Sequence, residues 1–293
     1  MTDPATDAFV AHRNLLFTVA YEMLGSAADA EDVLQETWLR WVKVELDEVR
    51  DQRAYLVRIT TRQALNRLRT LSRRRESYVG PWLPEPLLTA PDVAQDAELA
   101  ESMSMALMLV LETLSPTERA VFVLREVFDV PYDEIAAAVD KTPAAVRQIA
   151  HRARQHVDAR RPRQTVSPGE TRAAVDAFRA ALDSGDPQGL LDVLAPDVVL
   201  LTDGGGIKQA ARVPVLGPEK IIRFIFATQA KNGVLTSHPT LVNGAPALAL
   251  HLDGELDGVI AFRIADSLID GMYYVRNPEK LTGFTTAAPI GLP

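Results

Sequence analysis

Apolar positions along the first 71 residues recur at helical spacing. Leu15, Leu16, Val19, Ala20, Met23 and Leu24 share a face, and Gly25-Ser26 ends that run. A second helix sets Val33, Leu34, Trp38, Leu39 and Trp41 among acidic residues. A third, starting near Arg53, carries Tyr55, Leu56, Ile59, Ala64, Leu65 and Leu68 at intervals of three and four. The pattern predicts a compact all-helical unit. Residues 76–91, ESYVGPWLPEPLLTAP, then hold four prolines, each of which removes an amide donor and keeps its predecessor extended, so a linker is expected. Helix is expected to resume near Asp92, with Leu107, Val110, Leu111 and Leu114 leading into a second helical unit that ends near Arg161-Pro162. Residues 162–169, PRQTVSPG, read as another linker.

After Glu170 the periodicity changes. Two helices (Thr171–Ser184 and Pro187–Leu194), a strand-like DVVLLTD and a helix over Pro218–Ala230 precede four β-rich runs, SHPTLVN, PALALHL, GELDGVIAFRIA and SLIDGMYYV. Asn-Gly, Asp-Gly and similar turn signals separate them. Helices first and an antiparallel sheet after predict an α+β unit.

A chain of 293 residues, 47% hydrophobic, suits two or three compact units. Cysteine is absent, which excludes disulfides and thiolate metal sites. The opening MTDPATDAFVAHRN lacks the basic and apolar segments of a secretory signal, so a cytoplasmic location is expected. The longest uncharged apolar stretch, Met103–Leu111, falls far short of the roughly 20 residues that span a bilayer, so no membrane partner is expected.

The net charge of −8 argues against a polyanion partner only if charge is spread evenly. It is not. Arg53, Arg58, Arg62, Arg67, Arg69, Arg73, Arg74 and Arg75 lie in a stretch without an acid, and Arg147, Arg152, Arg154, Arg160, Arg161 and Arg163 form a second cluster. Acids gather at Asp29, Glu31, Asp32 and Glu36, and again between Glu85 and Glu101. Segregation of this kind predicts one surface for a polyanion and another for a protein partner.

The most specific motif runs from Leu114 to Val157. Ser115 can cap a helix whose first residue is Pro116 while Glu118 reaches back to the cap, a capping box. The next helix turns Ile135 and Ala136 inward. After Val139-Asp140-Lys141, Thr142 caps a last helix with Pro143 at its first position, completing a helix-turn-helix. On that helix Val146, Ile149, Ala150 and Ala153 form the buried stripe. Ala144, Ala145, Arg147, Gln148, His151, Arg152 and Gln155 face outward, Arg147 and Gln148 having the geometry to pair with guanine and adenine edges in a major groove.

This segment resembles the fourth region of bacterial sigma factors, and Asp29-Ala30-Glu31-Asp32-Val33-Leu34-Gln35-Glu36-Thr37-Trp38 resembles the second. The resemblance implies core RNA polymerase (its β and β′ subunits) and promoter DNA as partners. Asp29, Asp32, Gln35 and Glu36 would meet polymerase. Arg53, Arg58, Arg62, Asn66, Arg67, Arg69, Arg73 and Arg74 would grip the melted strand, which needs cations along its backbone. Ala144, Ala145, Arg147, Gln148, His151, Arg152 and Arg154 would read the upstream element. Asp140 stands where many family members have glycine, and Asp tolerates a left-handed turn better than most residues. The short linker between the two regions points to the extracytoplasmic-function class.

Residues 170–284 resemble a SnoaL-like domain of the NTF2-like superfamily, which implies a curved sheet forming a cone with an internal pocket. Three segments match the SigJ-like group that carries such an extension: Trp82-Leu83-Pro84-Glu85-Pro86, Asp203-Gly204-Gly205-Gly206 with Lys208, and Asn277-Pro278 with Lys280-Leu281. The resemblance implies that the extension regulates the factor in cis through these contacts. The residues alone also allow Trp82 to pack beneath its own helical unit and the glycines to form a plain hairpin.

The expected fold class is therefore multi-domain, two all-α sigma domains followed by an α+β cone. Its divisions are 1–75 (region 2), 76–94 (linker), 95–161 (region 4), 162–169 (linker), 170–284 (SnoaL-like) and 285–293 (tail). Asp203, His238, His251 and Asp257 are of types that move protons, but spacing brings no two of them together. The chain is expected not to be an enzyme and to need no cofactor or metal; a small-molecule ligand in the C-terminal pocket is the expected extra partner. A ligand-responsive helix-turn-helix repressor, or an enzyme activity in the C-terminal domain, is the alternative reading.

Overall fold

The structure, a computed structural model, describes residues 3–75, 77–90, 102–160, 166–232 and 235–284, and the chain divides into two compact units. The first is helical. Helix α1 (Pro4–Leu24) ends at Gly25, whose φ of 69° lets its amide close back on the Tyr21 carbonyl at 2.7 Å. Ser26 then caps α2 (Ala27–Trp41) by accepting from the Asp29 amide, and α3 (Gln52–Arg75) completes a three-helix bundle. Its core holds most of the stripe read from the sequence, with Leu16, Val19, Met23, Leu24, Val33, Leu34, Trp41, Leu56 and Leu65 buried, but Trp38, Tyr55 and Ile59 are half-buried and Leu39 is exposed. The Trp41 indole also donates to the Ala5 carbonyl at 2.7 Å, fixing the start of α1.

The same unit contains the helix-turn-helix. Helix α4 (Met105–Leu111), within which the boundary between the units falls, leads to α5 (Pro116–Phe122), and both halves of the Ser115–Glu118 capping box are formed. A π-helical turn, Val123–Val127, extends α5, a feature that periodicity does not foretell. Helix α6 (Tyr132–Val139) ends at Asp140 in the left-handed conformation (φ 56°), and Thr142 caps α7 (Pro143–Asp158) by accepting from the Ala145 amide. Arg119, fully buried, donates to the Glu22 carbonyl of α1 and pairs with Glu112, joining the α5 segment to the bundle. The helix expected near Asp92 lies outside the described residues.

The second unit packs α8 (Pro168–Ser184), α9 (Pro187–Val193) and α10 (Pro218–Asn232) on one face of a six-stranded sheet. Its strands are β1 (Leu194–Asp203), β2 (Val215–Leu216), β3 (Leu235–Val242), β4 (Ala245–Leu252), β5 (Glu255–Ala265) and β6 (Leu268–Val275), in the order β2-β1-β6-β5-β4-β3. All neighbours are antiparallel except β1 and β6, since β1 precedes the hairpin series that returns beside it. The turns Asn243-Gly244 and Asp253-Gly254 both have positive φ at each central residue, as the twist of two-residue hairpins requires.

Three expectations need correction. Helix α8 starts at Pro168, not Thr171, because Ser167 and Glu170 form a capping box inside the segment read as a linker. Helix α9 gives way at Leu194, where β1 begins three residues ahead of Asp197. The sheet is open: β2 and β3 are its two edges and do not pair with each other, so no closed cone is formed.

Candidate functional site

In the helical unit the side chains expected to meet nucleic acid occupy two helices. On α3, Arg62, Asn66 and Arg69 are exposed, and Arg53, Arg58 and Arg67 are half-buried. The Arg58 guanidinium lies 4.6 Å from the Tyr55 ring centroid. Arg62 is turned to the helix-turn-helix, donating from Nη2 to the Ala137 carbonyl at 2.8 Å at the C-terminal end of α6, where unsatisfied carbonyls attract cations. The side chains of Arg73 and Arg74 lie outside the described residues, although both belong to α3.

Asp32, Gln35 and Glu36 are exposed on α2, whereas Asp29 is half-buried. Arg67 unites the two groups, donating to Asp29 at 2.7 Å and Asp32 at 3.0 Å. The hydrogen bond to Asp29 leads the influences that raise the pKa of Arg67, with burial opposing.

On α7, Val146, Ile149, Ala150, Ala153 and Val157 are buried, and Ala144, Arg147, Gln148, His151, Arg152 and Arg154 are exposed, with Ala145 half-buried. Arg147 and Gln148 project from the second turn. Arg154 is held by both oxygens of Glu126, at 2.6 and 3.0 Å, so it is less available to an outside ligand than its exposure suggests.

In the second unit the proline-rich segment is not a free tether. From Leu83 to Leu87 it is buried, and its Leu88 bridges to Val242 at the end of β3. At one end it is held by Asp203, fully buried at the end of β1. The Asp203 carboxylate accepts from the Tyr78 hydroxyl (2.7 Å), the Leu83 amide (2.9 Å), the Gly205 amide (3.0 Å) and the Lys280 ammonium (2.7 Å). Its carbonyl accepts from the Arg276 and Asn277 amides. Lys280 also donates to the Leu83 carbonyl and lies 4.1 Å from the Trp82 ring centroid. Burial, followed by the hydrogen bond to Asp203, pushes the Tyr78 hydroxyl pKa well up.

The glycines earn their place by proximity. At Gly205 (φ 62°) a Cβ would sit 2.4 Å from the Asn277 side chain, and at Gly204 one would sit 2.1 Å from the Lys208 carbonyl. Asn277 donates to the Tyr78 hydroxyl at 3.0 Å, Pro278 opens a single 3₁₀ turn and Leu281 is buried. Thus Trp82, Leu83, Asp203, Gly205, Asn277 and Lys280 are brought together. Pro84, Glu85 and Pro86 follow in the buried run.

Lys208 departs from the expected set. Its ammonium goes to the carbonyl and carboxylate of Asp257 (2.9 and 3.2 Å), not to the linker. Asp257 also accepts from Tyr274 and, at 2.8 and 2.9 Å, from Arg276. Burial works to raise the Asp257 pKa, yet the hydrogen bonds of Arg276 and Tyr274 hold it below the ordinary value. His238 and His251 meet edge to face at 4.8 Å across β3 and β4. Asp203, His238, His251 and Asp257, the four residues of proton-moving type, therefore belong to three different groupings. Tyr78 and Arg276 were not singled out in the sequence, since a lone Tyr in a linker and a lone Arg after a strand carry no pattern.

Between α8, α10 and the sheet lies an apolar cavity of about 40 Å³, lined by residues including Phe178, Leu200, Phe224, Ile260 and Met272. Thr228 and Tyr274 also line it, but their hydroxyls are bonded to the Phe224 carbonyl and to Asp257. Among the described residues no helix is long and apolar enough to cross a membrane.

A helical unit presenting an acidic helix, an arginine-bearing helix and a helix-turn-helix, joined to an α+β unit that grips the intervening linker, defines a sigma factor with a fused accessory domain. The Sigma-70 region 2 family model matches residues 8–74, and the Sigma-70 region 4 model matches residues 104–157. The chain is 36% identical to the ECF RNA polymerase sigma factor SigJ of Mycobacterium tuberculosis, over 94% of this chain and 92% of that one. It is 32% identical to a protein named probable ECF RNA polymerase sigma factor SigI of the same species, over 95% of each. The crystal structure of M. tuberculosis SigJ matches 95% of this chain and 98% of its own with a TM-score of 0.77 and 32% identity. The chain belongs to the extracytoplasmic-function sigma factors, which direct core RNA polymerase to promoters, and is of the SigJ-like kind, with an α+β C-terminal extension.

The expectation that no part of the chain is an enzyme does not stand. Structures similar to its C-terminal part carry the names "putative ketosteroid isomerase" from Kribbella flavida (21% identity, 36% of this chain and 77% of that one, TM-score 0.29) and "putative polyketide cyclase" from Sinorhizobium meliloti (17%, 37% and 99%, 0.28). At this distance the likeness assigns no reaction, in keeping with the many chemistries one fold supports.

Proposed function

We propose that the C-terminal unit regulates this sigma factor in cis by holding the linker between regions 2 and 4. The observation that carries the reading is Asp203: a fully buried carboxylate whose partners include Tyr78 and Leu83 of the linker and Lys280 from the far end of the unit. A buried charge needs all its partners, so the linker segment is an integral part of that site.

The division of labour follows. Residues 1–75 bind polymerase and melt the promoter, 95–161 read the upstream element, 170–284 regulate, 76–94 and 162–169 connect, and 285–293 form a tail. Asp29, Asp32, Gln35 and Glu36 meet the β′ subunit. The α3 arginines accompany the melted strand, and Ala144, Arg147, Gln148, His151 and Arg152 lie in the major groove. The cytoplasm is the compartment in which these partners occur.

The apolar cavity serves as the seat of a small hydrophobic ligand. At about 40 Å³ it has room for roughly three waters, so a ligand would have to displace α10 or the sheet, and that movement would be its signal.

Transcription by core polymerase with the full-length Lys280→Met protein tests the central claim. The variant should change promoter-specific output severalfold while binding core polymerase as the parent does. Equal output rejects regulation through the linker.

A further inference from the structure

The linker is held a second time, at the opposite end of the sheet. Asn243 is the first central residue of the β3–β4 turn, 1% exposed, in the left-handed conformation that a two-residue hairpin demands (φ 53°). That requirement would be met equally well by glycine, and the side chain is spent on something else. Its carbonyl oxygen accepts from the Leu87 amide at 2.8 Å, and its amide nitrogen donates to the Met103 carbonyl at 2.8 Å. The turn adds backbone bonds at the first of these points: the Asn243 amide donates to the Leu87 carbonyl at 2.9 Å, and the Thr89 amide donates to the Leu241 carbonyl at 3.1 Å. The Gly244 amide meanwhile donates to the Thr89 hydroxyl at 3.0 Å.

Leu87 and Met103 are the two stems of a 15-residue stretch, Leu88 to Ser102. One carboxamide satisfies an amide on one stem and a carbonyl on the other, in a buried setting where each would be costly to leave unpaired. Resting on the reading that the linker is the regulated element, we infer that Asn243 is a positioning residue that holds Leu87 and Met103 to one turn and so sets the working length of the linker. Extended, the stretch would contribute about 50 Å of reach at ~3.3–3.6 Å per residue; pinned at both stems it contributes almost none. A sigma factor contacts two promoter elements at once, so the length of chain free to pay out between its two DNA-reading parts limits which element separations it tolerates.

Two substitutions in the full-length protein separate the clamp from the turn. Asn243→Gly keeps the left-handed turn and the backbone bond to Leu87 but removes the side-chain bonds to Leu87 and Met103. Asn243→Asp keeps the acceptor for the Leu87 amide and removes the donor to Met103. The first readout is amide hydrogen exchange: the Leu87 amide should exchange about tenfold faster in Asn243→Gly and stay protected in Asn243→Asp, as loss of one net hydrogen bond implies. The second is transcription with core polymerase from a promoter mapped among transcripts that rise on overproduction, with the separation of its two elements varied by one to three base pairs. At the non-optimal separations both variants should give about threefold or more the output of the parent.

Unchanged Leu87 exchange in Asn243→Gly overturns the clamp, and an unchanged separation profile in both variants overturns its role in transcription. Lys280→Met distinguishes this from the underlying reading. If that variant is active as the parent while Asn243→Gly broadens the profile, regulation through Asp203 fails and the clamp stands. If Lys280→Met alters output and Asn243→Gly does not, only the clamp is lost.

Discussion

Arg67 on α3 donates its Nε proton to Asp29 on α2 at 2.7 Å, so a cation expected to face nucleic acid is tied to a carboxylate expected to face polymerase. The same guanidinium reaches Asp32 at 3.0 Å. Either expected partner must compete with this internal pair.

The pair is partly exposed, and its contribution is correspondingly small. A double-mutant cycle of Arg67→Met and Asp29→Asn, followed by chemical denaturation, should give a coupling of about 0.5–1 kcal/mol that falls as salt is added. A coupling of zero at low salt would show the two side chains to be independent.

Arg147 and Arg154 sit on one helix but differ in what holds them. Arg147→Ala should weaken binding to the upstream element by about 1–3 kcal/mol and relax preference at one base pair. Arg154→Ala should leave base preference unchanged, because Glu126 already engages its guanidinium. Binding of holoenzyme to a panel of single-base promoter variants checks both.

Removing either side of the buried Asp203–Lys280 pair leaves the other uncompensated. Asp203→Ala should lower the unfolding free energy of the C-terminal unit by about 3–5 kcal/mol. Combining Asp203→Asn with Lys280→Met should cost less than Asp203→Asn alone. Thermal unfolding followed by near-ultraviolet circular dichroism gives the comparison, and a larger loss in the double variant would contradict it.

The pH dependence of stability should carry the mark of Asp257 and Glu118. Both have folded pKa values below their ordinary 3.8 and 4.5, Asp257 through Arg276 and Tyr274 acting against burial, Glu118 chiefly through Ser115. Depressed acids stabilise the folded state fully above the unfolded value and lose that contribution as pH falls through the folded one. Stability should therefore decline on acidification below about 4.5, and Asp257→Asn should flatten the lower part of the curve. An identical acid limb in the variant would remove Asp257 from the account.

Asp140 occupies a left-handed position (φ 56°) in the helix-turn-helix. Asp140→Gly should be neutral or stabilising by up to about 1 kcal/mol, as relief of strain offsets the added freedom of the unfolded chain. A substantial loss of thermal stability would mean that the Asp side chain contributes something besides turn tolerance.

The sequence by itself determined the helices and their faces. The stripe at Val146–Ala153, the capping box at Ser115 and the turn at Asp140 are local matters of 3.6-residue periodicity, cap chemistry and left-handed backbone, and all were legible from neighbours in the chain. Tertiary structure decided what is joined to what. Tyr78 and Asp203 lie 125 residues apart, and Asn243 and Leu87 lie 156 apart. No local rule marks a hydroxyl or a carboxamide that finds its partner across such distances. Burial selects these contacts, because once the sheet forms, each polar group carried inside must meet whichever complement the fold brings to it.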